Sequence, residues 1–393
     1  MSVPHPGSSV AVPGPINSLL QAGEYPFVTL ERKRRELVPA GVTPINFSIG
    51  DPREKTPAFI RDALRAAVPE VSSYPAVAGF PELRRAAAGW LSRRFGVSVD
   101  PDTELLPANG TKEAVFLLAF AVIDRAAERN LVVIPTPAYP VYAAAARLAG
   151  GEPYFVTLRS ADRWRFRPDH VPDDVWRRTA LLWLNTPHNP TGAVLDRPAL
   201  DAIAEHARRL GYWVGADEAY AELWFEGVVP HSTLECGTDN VIAFHTLSKR
   251  SAMTGYRSGF MAGDARLVET LRRLRPNVGV ATPEFVQRAA VAAWNDDAHA
   301  AEQRELYRAK RALMLDAFAA RGWTVEASEA TFYLWARAPG GDDVGFVERL
   351  MRAGILATPG SYLGAGGEGF VRWALVPTLE QCRQALERLE QVA

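Results

Sequence analysis

Five short and almost wholly apolar runs constrain this chain's fold more than any other feature. They are LVVI (131–134), LLWL (181–184), WVGA (213–216), VIAF (241–244) and GFMA (259–262). A strand apolar on both faces belongs inside a sheet covered by helices on either side. Between these runs, 111–130, 139–149, 197–210 and 265–274 show helical periodicity. The alternation predicts an α/β fold wound around a mostly parallel central sheet. After Pro283 the pattern changes to a long helical stretch (284–321), two short strands (TFYLWAR, 331–337; FVRWALV, 370–376) and an amphipathic helix over 378–392. We therefore expect a flexible arm over 1–17, a large domain over 49–285, and a smaller α+β domain built from 18–48 and 286–393.

Charge and composition exclude several classes. Forty-four basic residues stand against 45 acidic ones in 393, leaving a net charge of −1. No global positive field exists to draw nucleic acid or an anionic membrane, and neither is expected as a partner. The longest purely apolar run, Ala114 to Ile123, falls well short of the ~18 residues a spanning helix needs. The proline-rich first seventeen residues lack the apolar segment of a signal peptide. Two distant cysteines, Cys236 and Cys382, make neither a disulfide framework nor a zinc pattern. They fit a reducing, cytoplasmic setting, and no metal is expected. Only five of the basic residues are lysines, so each merits inspection.

Several loops that follow strands carry residues suited to chemistry. Lys249 lies in a stretch of small and hydroxyl residues, Thr246 to Gly259, between two predicted strands. A lone loop lysine is ordinarily solvated. One that forms a Schiff base needs burial, a lowered pKa and a nearby anion site, for which Arg257, Ser248 and Thr246 are candidates. Asp217 ends the run WVGA, where α/β sheets bind ligands, and could face a ring nitrogen. Tyr220 follows three residues later. Asn189 sits in a proline-flanked turn, Asn185 to Gly192, which is ordinary turn chemistry but also fixes an amide. Asn109-Gly110-Thr111-Lys112 opens a helix whose first amides can hold phosphate. Tyr139 is either a packed aromatic or a ring for stacking. Arg372 stands inside an apolar strand, where a guanidinium requires an anionic partner such as a carboxylate.

In this order, the motifs resemble the pyridoxal-phosphate-dependent aminotransferases of fold type I, class I/II, from about Asn17 to the C-terminus. The motifs are Ser48-Ile-Gly-Asp-Pro, Tyr74-Pro-Ala-Val-Ala-Gly-Phe-Pro, Asn109-Gly-Thr-Lys, Asn189-Pro-Thr-Gly, Asp217-Glu-Ala-Tyr and Ser248-Lys249. The resemblance implies pyridoxal 5'-phosphate as cofactor, with Lys249 as the imine lysine and Asp217 as partner of the pyridine nitrogen. It implies that Asn189 and Tyr220 bond the ring hydroxyl oxygen and that Tyr139 stacks on the ring. Gly110, Thr111, Lys112, Ser248 and Arg257 would hold the phosphate, with Tyr74 reaching across from a second subunit of a homodimer. Arg372 and the backbone at Gly50 would bind the substrate α-carboxylate, with Asn189 beside them.

Arg257-Ser-Gly259, Tyr25-Pro-Phe-Val, Ser248-Lys-Arg-Ser, 292–299 and Pro359-Gly-Ser-Tyr-Leu further resemble the succinyldiaminopimelate aminotransferase subgroup of lysine biosynthesis. This implies amino transfer between N-succinyl-LL-diaminopimelate and 2-oxoglutarate, with Lys249 carrying the α-proton. Arg53, Lys55 and Arg250 are candidates for the distal anionic end. The alternatives are aspartate, aromatic or LL-diaminopimelate substrates, a carbon–sulfur lyase, or a sensor domain. A sensor would need a DNA-binding module, which the N-terminal arm is too short to hold.

Overall fold

The computed structural model describes residues 17–21, 26–279 and 281–392. The N-terminal arm, but for Asn17, and Tyr25 of the subgroup motif lie outside the described residues. All five apolar runs fall in one seven-stranded sheet. In spatial order its strands are Leu105–Ala108, Gly259–Gly263, Val241–Thr246, Trp213–Asp217, Thr179–Asn185, Leu131–Thr136 and Glu152–Thr157. Every pairing is parallel except those made by Gly259–Gly263, which runs antiparallel to both its neighbours. The central strands are buried along nearly their whole length, as their unbroken apolar character requires once helices cover both faces.

Helix ends follow local chemistry. Asp196 accepts from the Ala199 amide (3.0 Å) to start Arg197–Leu210, and Gly211 closes it in the left-handed region. Thr378 and Gln381 form a reciprocal capping box at the head of Leu379–Leu389.

A second, four-stranded antiparallel sheet contains Val325–Glu326, Tyr333–Arg337, Thr358–Pro359 and Phe370–Ala374. Both strand runs expected near the C-terminus lie here. The segment before residue 49 packs with this part of the chain: Ile45–Asn46 pairs with Ile355–Leu356, and Leu30, Ile45 and Phe47 share its apolar core.

The expected helical stretch 284–321 is two helices, Glu284–Asn295 and Ala298–Ala320. They part at Asp296, whose Oδ1 accepts from the backbone amide of His299 (2.9 Å) and meets its ring Nδ1 (2.7 Å). That side-chain acceptor competes with continuation of the first helix. The break also divides the cores. Ala289, Ala290, Ala293 and Trp294 pack with Trp90 and Phe260 beside the large sheet, whereas Tyr307, Met314 and Phe318 pack with the small one. The change between cores thus falls near Asp296, not at the expected 285/286.

Leu118, fully buried, supports the face of the large sheet behind Gly215. Leu118→Ala should cost about 2–5 kcal/mol through lost apolar contact and the cavity left behind. The measurement is the thermal midpoint by circular dichroism, expected several degrees lower; an unchanged midpoint would contradict this packing.

Candidate active site

The parallel strands Thr179–Asn185, Trp213–Asp217 and Val241–Thr246 end at one edge of the sheet, and a cavity of about 430 Å³ opens there. This is where a wound α/β sheet leaves room for a ligand. Asp217, Tyr220, Asn189, Thr246, Ser248, Lys249, Arg257, Thr111, Lys112, Tyr139, Gly50 and Arg372 all line it. Nearly the whole set expected from sequence therefore meets in one place. Tyr74 does not: it is 91% exposed and lies outside the cavity.

The floor is built around Asp217. The register sets Asn185 beside it, and Asn185 Nδ2 donates to the Asp217 carbonyl at 2.8 Å. Asn185 Oδ1 in turn accepts from the Asn189 amide (2.6 Å), which locks the turn holding that asparagine. Tyr142 donates its phenol to Asp217 Oδ2 at 2.7 Å, and the Ala219 amide donates to Oδ1 at 3.2 Å. Burial, working against those hydrogen bonds, raises the Asp217 pKa. Its anion is poorly stabilised and suits a cationic N–H partner.

Lys249 belongs to the short helix Leu247–Arg250, which starts where Thr246 Oγ1 accepts the Ser248 amide (3.1 Å). Thr246, expected among the phosphate ligands, thus has a capping duty as well. The Lys249 amine donates to the Gly50 carbonyl. Withdrawal from water pushes its pKa down to about 8. Asp51 supplies the largest opposing charge, while Arg257 and Arg372 reinforce the depression.

One wall is an anion cup. Gly110 has φ +75° and heads the helix Thr111–Val122; a Cβ there would lie 2.4 Å from Arg257 Nη2. Only glycine permits both that backbone conformation and the close guanidinium. Arg257 is tethered by the Thr254 carbonyl (2.9 Å) and the Asn109 carbonyl (3.3 Å). The helix amides with this guanidinium form a site for a dianionic group.

The opposite wall carries Arg372, 3% exposed, on the strand Phe370–Ala374. It donates to Asn189 Oδ1 (3.1 Å) and the Ser48 carbonyl (2.7 Å), and its guanidinium lies 4.6 Å from the Tyr333 ring centroid. The Tyr333 hydroxyl meets that of Tyr220 at 2.9 Å.

Sequence reasoning missed Tyr142, Tyr333, Asn185 and Asp51, all lining the cavity. Asn185 and Asp51 lay inside the motifs above, and Tyr142 falls three residues after Tyr139, in the first turn of the helix Val141–Ala149; Tyr333 had no local signal. Of the distal candidates, Arg250 is 2% exposed and points away. It donates to the Ala293 carbonyl (2.7 Å), the Asp296 carbonyl (2.9 Å) and Asp297 Oδ1 (2.7 Å), beside Trp90 and Trp294. Lys55 is exposed and outside the cavity. Arg53 is also outside it, though 3.6 Å from Asp51.

A buried, depressed-pKa lysine, a buried carboxylate and an anion cup fit the aldehyde, ring nitrogen and phosphate of pyridoxal phosphate, and define an enzyme that uses it. The chain belongs to the aminotransferases of class I and II, whose family model matches residues 42–389. It is a pyridoxal-phosphate-dependent aminotransferase. An LL-diaminopimelate aminotransferase of Desulforudis audaxviator is 38% identical, covering 93% of this chain and 94% of its own. A second, from Trichormus variabilis, is 34% identical over 93% and 95%. Among solved structures, an aminotransferase from Neisseria meningitidis superposes with a TM-score of 0.90 at 35% identity, covering 96% of this chain and all of that one. A probable N-succinyldiaminopimelate aminotransferase from Thermus thermophilus gives 0.86 at 32%, covering 94% and 100%.

Because the Lys249 amine is depressed to about 8, it is mostly charged at pH 7 and mostly neutral at pH 9. In cofactor-free protein, acylation of Lys249 followed by peptide mass spectrometry should rise through a midpoint near 8. A midpoint near the ordinary lysine value of 10.5 would contradict the buried setting.

Proposed function

We propose that this aminotransferase acts on a diaminopimelate, LL-diaminopimelate itself, in lysine and diaminopimelate biosynthesis. The observation that carries this reading is the pairing of two opposite charges in one cavity: Arg372 on the buried wall and Asp51 beside Gly50. Arg372 takes the α-carboxylate at the reacting end. Asp51 offers its carboxylate to the ammonium that only an unblocked diamino acid carries at its far end. The names of the relatives at 34% and 38% identity support the same substrate.

When bound, the cofactor supplies an aldehyde for the amine to join and a ring that accepts the electron pair left on the substrate α-carbon. The protein's part is binding and proton handling. Lys249 would hold the cofactor at its aldehyde and, once free and neutral beside the substrate α-carbon, would carry the α-proton. Asp217, buried and backed by Tyr142, would keep the ring nitrogen protonated. Asn189 and Tyr220 would hold the ring hydroxyl oxygen, and Tyr139 would pack on the ring. Gly110, Thr111, Lys112, Ser248 and Arg257 hold the phosphate, joined by Tyr74 from a second copy in a homodimer. That exposed tyrosine has no part in its own chain's cavity.

A second reading, N-succinyl-LL-diaminopimelate, is favoured by Arg257-Ser258-Gly259 and by the Thermus thermophilus structure. The two differ in charge at the far end, since succinylation removes the ammonium and adds a carboxylate.

A half-reaction titration separates them. Cofactor-loaded protein is mixed with each amino acid and loss of its visible absorption is followed. LL-Diaminopimelate and glutamate should convert the enzyme efficiently; conversion by the succinylated compound in place of LL-diaminopimelate would overturn the first reading. Asp51→Asn should lower kcat/KM for LL-diaminopimelate about 10-fold, the value of a charge-assisted hydrogen bond. It should raise kcat/KM for glutamate, whose far end is a carboxylate. Equal changes for both would remove Asp51 from recognition. Lys249→Ala should abolish turnover while leaving the circular dichroism spectrum unchanged.

A further inference from the structure

Thr282 lies just before the helix Glu284–Asn295, is 1% exposed, and does not line the cavity. Its hydroxyl faces three oxygen acceptors: Asn109 Oδ1 at 3.0 Å, the Arg257 carbonyl at 3.2 Å and the Ala108 carbonyl at 3.3 Å. A hydroxyl has one proton to give, so these oxygens compete for it and gather around one point. They come from the two halves of the anion cup. Ala108 and Asn109 lead into Gly110 and the helix Thr111–Val122, whereas Arg257 supplies the guanidinium opposite. Arg257 has φ +54°, a left-handed conformation unfavourable for an arginine, and its own carbonyl is one of the three oxygens.

The hydroxyl is itself held in place. Gln287, 1% exposed, donates its Nε2 to the Thr282 carbonyl at 2.7 Å and accepts the Phe80 amide on Oε1 at 2.7 Å. The stitch is therefore tied through Gln287 to Phe80, which packs against the large core.

We propose that Thr282 is a positioning residue for the cofactor phosphate: its buried hydroxyl draws the Asn109–Gly110 turn and the Arg257 turn together and so sets the width of the anion cup. The proposal rests on the reading of Gly110, Thr111 and Arg257 as the phosphate site. Without the hydroxyl, the oxygens on both halves lose the donor they share and meet an apolar group in its place, which is costly. The halves then separate, and Arg257 and the first amides of the helix no longer converge on one anion. The part of the site that meets the cofactor's aldehyde, around Lys249, is not touched by Thr282.

The test uses cofactor-free full-length protein titrated with pyridoxal 5'-phosphate and with phosphate-free pyridoxal, both followed by absorbance, and with inorganic phosphate as competitor. Thr282→Val should weaken pyridoxal phosphate and inorganic phosphate about 10-fold each, the value of one lost hydrogen-bond site, while leaving pyridoxal within about 2-fold. Thr282→Ser keeps the hydroxyl and should restore the wild-type affinities. Thr282→Ala should show the same selective loss as Thr282→Val and serves if the valine variant does not fold. Equal weakening of both aldehydes, or no weakening of either, overturns the proposal. Failure of the underlying phosphate reading is seen separately: inorganic phosphate would not compete with pyridoxal phosphate in the wild-type protein, and Arg257→Gln would leave its affinity unchanged.

Discussion

The register between Thr179–Asn185 and Trp213–Asp217 is the constraint on which the site depends. It sets Asn185 opposite Asp217 at the edge where both strands end. From that pairing come the 2.8 Å bond to the Asp217 carbonyl and the 2.6 Å bond that holds the Asn189 turn. A slip of one residue would turn every side chain to the opposite face and bring Ala216 or Glu218 to the floor. The burial of these strands forbids that slip, since their apolar residues fill the cores on both sides of the sheet. The chemistry is thus positioned by a hydrophobic pattern that contains none of the reacting groups.

Much of this was legible in the sequence, for reasons that differ by region. The five inner strands announced themselves because both their faces are buried. Leu105–Ala108 and Glu152–Thr157 did not, and they are the two edges of the sheet. Each contains a proline, Pro107 and Pro153, tolerated at an edge and misleading to any search for strands, and Glu152–Thr157 is mixed in exposure. The helix opening at Thr111 ends at Val122, not at Asn130, because the following DRAAERN segment has no apolar face to bury. Lys249, Asp217, Asn189 and Tyr220 were readable as motifs. Tyr333 was not, since only the meeting of the two sheets brings it to Tyr220. Arg250 was misjudged because sequence shows a charge next to the reacting lysine, whereas the fold turns it into a nest of carbonyls and tryptophans.

The cavity holds its charges in separate compartments. Arg257 is tethered by carbonyls on the cup side, Arg372 by Asn189 and Ser48 on the opposite wall, and Asp51 lies beside Gly50, whose carbonyl takes the Lys249 amine. Neutral backbone and amide oxygens help hold both guanidiniums in place, so that each faces the cavity from a fixed position. Asp51 is the acidic member that offsets them near the lysine and keeps its pKa from falling further.

Lys249 and Arg250 are adjacent in sequence yet occupy opposite environments, one in the cavity and one sealed against the helix break at Asp296. This makes the length of the segment, and not only its composition, a fixed quantity. Deleting one residue between Thr246 and Lys249 would offer the guanidinium to the cavity, and inserting one would offer the amine to the tryptophans. Surface loops in such a fold can drift in length over evolution, but this one is bound to a fixed count by two neighbouring cations that cannot exchange places.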